Sequence, residues 1–240
     1  MKRSEKQLTR LVKYRIIKLT GPVNALEKGE RLIEDLLANL DEEKKTNIIN
    51  SAMKEFSKHS FQNASTNTIV KDAGISKGAL YHYFGTKKKL YEYLEYYVIQ
   101  IISEKIVKEL NWEQKDIFIR IKEISLIKFK LFQELPYLSD FSLKVFENKT
   151  AEEIIQKHPN FPLALYSQIY TQNIDYSLFK ESVNEKKAID IIRWTIEKCG
   201  DEYRKKIAAN KEAFNYKAIE KEIYSYIDIL KDSFYKKEVK

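Results

Sequence analysis

Lys77, Gly78, Tyr81 and His82 are cationic, small or hydrogen-bonding, and their spacing gathers them on one face of a helix. Such a face suits a helix whose N-terminal half enters a major groove while its flanks meet phosphates. Lys87, Lys88 and Lys89 then open the next helix, where cations oppose the helix dipole by a few tenths of a kcal/mol. A phosphate seated there would more than offset that cost. The chemistry within reach is the binding of a polyanion.

Bond-making chemistry has no comparable set of residues. Gly85-Thr86-Lys87 lacks the preceding glycine and strand of a phosphate-binding loop. His59, His82 and His158 are scattered, and no Cys, His or carboxylate spacing suggests a metal ligand set. Cys199 falls in a helix expected to be core. The expectation is a protein that is not an enzyme, with no cofactor and no metal.

The elements that must hold the binding face lie around it. Ile48, Ile49, Ala52, Met53 and Phe56 recur at the three-to-four-residue spacing of a helix. Ser65 or Thr66 can cap a second, short helix carrying Ile69, Val70 and Ala73, which Gly74 ends by turning in the left-handed region. Ser76 can cap a third, with Ala79, Leu80 and Tyr83 inward. Two short helices around a tight glycine turn make a helix-turn-helix. Gly85-Thr86 breaks the third helix, and Thr86 caps a fourth.

Over residues 73–87 the run Ala-Gly-Ile-Ser-Lys-Gly-Ala-Leu-Tyr-His-Tyr-Phe-Gly-Thr-Lys resembles the DNA-binding signature of the TetR family of bacterial transcriptional regulators. The likeness covers residues 44–94 and is only architectural elsewhere. The resemblance implies that Lys77, Gly78 and Ala79 approach bases, and that Ser65, Thr66, Thr68, Tyr81, His82 and Lys87 meet the sugar-phosphate backbone, beside the capping Ser76. One departure is Ser60, where the family often has glycine, so a slightly strained turn is expected.

Composition agrees with an all-helical chain. Its 240 residues are 43% hydrophobic and include only six glycines and four prolines. The net charge of +8 is uneven: residues 1–20 carry +6, 21–40 carry −2, 41–91 carry +4, and 92–240 carry none. The excess lies in the N-terminal third, as a nucleic-acid partner for that third would require. A single cysteine allows no internal disulfide. No apolar run approaches the roughly 20 residues that span a bilayer, and no signal core opens the chain, so a cytoplasmic protein without a membrane partner is expected.

Three parts follow: an extension (1–42), a three-helix helix-turn-helix DNA-binding domain (43–91), and a helical domain for effector binding and dimerisation (92–240). In the extension, Leu8, Leu11, Val12, Arg15, Ile16 and Leu19 form a basic amphipathic segment that Gly21-Pro22 interrupts. Leu32, Ile33, Leu36, Leu37 and Leu40 then share a face, with Glu30, Glu34 and Asp35 off it. The extension reads either as an extra packed helix or as an arm along DNA.

The fourth helix, 87–110, would by resemblance be the lever between the domains. By the same resemblance the effector cavity lies among the middle helices, where Phe129, Phe132, Tyr137, Phe141, Tyr166 and Tyr170 are candidates to line it. Rings at such spacing also simply fill cores. Helices at 184–199 and 216–235 have apolar faces wide enough for a two-fold four-helix bundle, with Ile191, Ile192, Thr195, Ile223, Tyr226, Ile227 and Leu230 as candidates. The expected function is a homodimeric regulator, a repressor, on a pseudo-palindromic double-stranded operator, released by a small apolar or aromatic effector. The alternative is an architectural or partner-recruiting DNA-binding dimer without an inducer.

Overall fold

The structure, a computed structural model, describes residues 28–146, 153, 156–158, 162–210 and 215–237. The basic segment at 8–19 lies outside these residues. The order is α1 (Lys28–Leu37), α2 (Glu42–Lys58), α3 (Thr66–Ala73), α4 (Lys77–Phe84), α5 (Lys87–Glu109), α6 (Ile117–Glu134), α7 (Leu138–Phe146), α8 (Leu163–Thr171), a 3₁₀ turn (Tyr176–Leu178), α9 (Glu185–Asn210) and α10 (Tyr216–Phe234). The chain is all-α with a helix-turn-helix, and its described residues contain no strand, only a single antiparallel bridge, Phe179 to Tyr235. No helix among them is long and apolar enough to cross a membrane.

Local chemistry sets the helix ends. Asp41, Ser65, Ser76 and Thr86 each accept the N–H three residues on, at 2.7, 3.3, 3.0 and 3.1 Å, opening α2, α3, α4 and α5. Gly74 closes α3 at φ 67°; its N–H reaches the Lys71 carbonyl at 3.3 Å and that of Ile75 the Val70 carbonyl at 3.0 Å. These two bonds define a Schellman cap, which is the turn of the helix-turn-helix. At Ser60 the expected strain is absent. Its φ is negative, its carbonyl accepts from Asn63 and Ala64 at 3.0 and 2.9 Å, and no glycine is needed.

The residues gather into two compact units. The first takes the described chain to Lys108 and then Lys130–Leu163; the second takes Glu109–Phe129 and the chain from Ala164. Packing therefore groups the chain differently from sequence patterns, which suggested boundaries at 42 and 91.

In the first unit, α2, α3 and α4 close over Ile48, Ile49, Met53, Phe56, Ile69 and Leu80, all at most 2% exposed. α5 adds Leu90, Tyr93 and Leu94, and α7 adds Leu138, Phe141 and Val145. Lys144 on α7 donates to the Ser57 and His59 carbonyls at 3.1 and 2.7 Å, satisfying the C-terminal end of α2. Glu95 is 1% exposed, and the Lys157 ammonium lies 2.7 and 2.5 Å from its two oxygens. On α1 the buried residues are Ile33 and Leu37; Leu32, expected beside them, is 60% exposed. Leu32 is more than a quarter of a turn from both, so a face narrow enough to pack on α4 and α5 leaves it out.

In the second unit α6, α9 and α10 surround Ile117, Phe118, Ala188, Ile192 and Ile227. α9 runs on to Asn210, past the expected end at Cys199, so Gly200 lies within the helix. Arg120 is wholly buried and holds four backbone carbonyls, those of Trp112, Gln114, Ile169 and Gln172.

Candidate nucleic-acid interface

Three successive helix starts of the first unit carry the expected DNA-contacting residues. At the first, Ser65 and Thr66 are half-buried and Thr68 is exposed. Ser65 uses its hydroxyl to cap α3, while its own N–H donates to Glu55 Oε1 at 2.7 Å. Glu55 is only 7% exposed, an acid on the inner face of α2, and its carboxylate fixes where α3 begins. Lys54 and Asp72 tie the same helices together at 2.7 Å; that hydrogen bond raises the lysine pKa and lowers that of the aspartate. Since the aspartate is depressed, the tie holds above the ordinary carboxylate range and is lost as pH falls below it.

At the second start, α4 turns Leu80 and Phe84 inward at 2% exposure each and leaves Ser76, Lys77, Gly78, Tyr81 and His82 exposed, with Ala79 half-buried. Ala79 was expected both among the inward residues and among those near bases, and it sits between the two. A Cβ on Gly78 would meet nothing closer than the Ser76 hydroxyl at 3.8 Å. The free protein thus has no need of glycine there. Gly78→Ala is expected to raise stability by a few tenths to about 1 kcal/mol and yet to weaken DNA binding, if bases approach this backbone closely. Thermal melts and fluorescence titration with DNA check the two halves.

At the third start, Lys88 and Lys89 are exposed, and Lys88 lies 3.7 Å from Glu92. Lys87 is half-buried: its ammonium donates to the Gln62 carbonyl at 3.1 Å and lies 5.0 Å from the Phe61 ring centre. Phe61 packs edge-on to Tyr91 at 5.4 Å, and Tyr91 to Phe56 and Phe141 at 5.0 and 5.6 Å. Lys87 therefore also secures the turn between α2 and α3.

Residues 48–94 match a family model described as bacterial regulatory proteins of the tetR family. That stretch, from α2 into α5, is where the chain is similar to the family. Solved structures share its fold. A TetR family transcriptional regulator from Chloroflexus aurantiacus J-10-FL is 22% identical, with 85% of this chain and 98% of that one covered and a TM-score of 0.52. TetR family structures from Shewanella sp. PV-4 and Vibrio parahaemolyticus are 15% and 17% identical, cover 82% and 81% of this chain and all of theirs, and score 0.51 and 0.52. No curated protein matches the chain.

The other candidates spread over both units. Phe141 is fully buried in the first unit, where Phe132 and Tyr137 pack on the same core. In the second, Phe129 stacks on Tyr216 at 4.6 Å, Tyr170 packs on the core, and Tyr166 is 44% exposed. Of the candidate dimer residues, Ile192, Ile227 and Leu230 are buried in the second unit's own core, and Ile223 packs against it. Ile191 and Tyr226 remain 40% exposed, and Thr195 is half-buried. Beside them Trp194 is 57% exposed and opens on a groove of about 780 Å³ between α9 and α10, with Lys198, Cys199 and Tyr203 on its walls.

Proposed function

We propose that the chain is a homodimeric TetR-type transcriptional regulator, a repressor in the cytoplasm, that binds a pseudo-palindromic operator and releases it when a small apolar or aromatic effector binds. In this reading residues 43–91 read DNA, and residues 92–240 take the effector and the partner copy. Two α4 helices about 34 Å apart would enter successive major grooves. The observation that carries the reading is the exposed Lys77, Gly78, Tyr81 and His82 face of α4.

Lys77 is assigned a base edge, and Thr66, Tyr81, His82 and Lys87 the backbone, which sets register without reading sequence. Lys77→Ala is expected to relax sequence preference at one position, at a cost of about 1–3 kcal/mol on the preferred site. Lys87→Ala should weaken all DNA alike. Selection of bound genomic fragments by the purified chain, repeated with each variant, tests both assignments. A shared palindrome for the wild type supports the regulator; salt-sensitive binding with no shared sequence refutes it.

The full burial of Phe141 favours a second reading, an architectural or partner-recruiting dimer without an inducer. Enrichment of fragments without a motif, together with no small molecule that releases them, would select it.

A further inference from the structure

We propose that α1, which precedes the matched domain, is a positioning element for the DNA-reading helix: it docks behind α4 and holds that helix in its binding orientation. The inference rests on the reading of α4 as the helix that enters the groove.

α4 has only eight residues, too few to be stable alone in water, so its order comes from what packs on it. Its inner residues Leu80 and Phe84 share a core with Ile33 and Leu37 of α1, and α1 packs directly against α4. Leu37 is 0% exposed. Tyr93 on α5 completes the joint. Its ring lies 5.5 Å from that of Phe84, and its hydroxyl, on a residue 1% exposed, donates to Glu34 of α1 at 2.9 Å. Burial, and then the Glu34 carboxylate, raise the tyrosine above its ordinary range, so it remains a donor. Glu34 also lies 3.9 Å from Lys45 at the start of α2. One acid of α1 thus reaches α2 and α5 while its apolar face covers α4.

A helix that merely adds bulk would leave DNA recognition unchanged when loosened. A positioning helix would not, because apparent affinity falls with the fraction of molecules whose α4 is correctly held. Lys77, Lys88 and Lys89 lie outside the joint, so attraction to DNA of any sequence should survive. The quantity to read is therefore the ratio of operator affinity to random-DNA affinity.

The full-length wild type and Leu37→Ala are titrated with selected operator and with random duplex, while amide exchange over residues 33–37 reports whether α1 has been released. The expected result is faster exchange, a ratio lowered about tenfold, and random-DNA affinity within twofold of wild type. A released α1 with an unchanged ratio would overturn the role. An equal loss on both DNAs would also overturn it, in favour of a direct backbone grip. Should Leu37→Ala fail to fold, Tyr93→Phe decides: it removes one hydroxyl and should lower the ratio about threefold, whereas Glu34→Gln, which keeps an acceptor, should stay close to wild type. A full ratio in Tyr93→Phe would then overturn the role. A wild type without any preferred sequence would overturn the regulator reading and this role together; a wild-type preference that Leu37→Ala leaves intact would overturn this role alone.

Discussion

Arg120→Met is expected to lower the stability of the second unit by at least about 3 kcal/mol. Arg120 is 0% exposed. One terminal nitrogen donates to the Ile169 and Gln172 carbonyls at 3.1 and 2.6 Å, and the other to the Trp112 carbonyl at 3.4 Å and to that of Gln114. It thereby joins the end of α8 to the segment leading into α6. Methionine fills similar space but donates nothing, leaving carbonyls that cost roughly 1–3 kcal/mol each where water cannot reach them. Folded domains hold only about 5–15 kcal/mol in reserve, so the loss should show as a separate, earlier phase in urea. Arg120→Lys should recover little, because a single ammonium cannot span the places that a planar fork reaches. A change below about 1 kcal/mol for Arg120→Met would mean that solvent or backbone movement replaces the guanidinium.

The second large effect is expected from Trp194→Glu. A side chain 57% exposed contributes little to its own fold, and a substitution there usually shifts stability by no more than about 0.5 kcal/mol. In the proposed dimer, an interface on the α9 and α10 face would make each copy bury a charge against its own symmetry mate. Sedimentation should show a monomer whose melting is nearly unchanged. Operator affinity should fall at least a hundredfold, because two half-sites would no longer be bound through one body. A dimer that persists with full affinity would move the interface away from the α9 and α10 face.

The helix-turn-helix was legible because its signals are local. Gly74 must reach a positive φ, and Ser76 and Thr86 cap helices with side chains that need only their own neighbours. What was not legible depends on partners far along the chain. Glu55 could be noticed as an acid on an apolar stripe, but Ser65 as its partner could not. Tyr93 and Glu34 are 59 residues apart, and Arg120 and Gln172 are 52 apart. The wide faces of α9 and α10 were visible, yet width does not say which residues face the home core. Ile192 and Ile227 do, whereas Ile191 and Tyr226 do not. For the candidate site, the exposed face of α4 was readable from spacing alone, and the second task of Lys87, securing Gln62, was not.

Phe141 and Lys144 have a consequence for how the molecule is made. The first lies 6.4 Å from Phe56 and the second holds the end of α2, so the first unit is completed by residues far downstream of the helix-turn-helix itself. During synthesis α2 through α5 leave the ribosome with an open apolar side, and it closes only when the chain has been made as far as Phe146. A fragment cut at residue 91 would keep that side open for good and would be prone to self-association. The helix-turn-helix region is thus finished only once the chain has been made through α7, well past the helices that compose it.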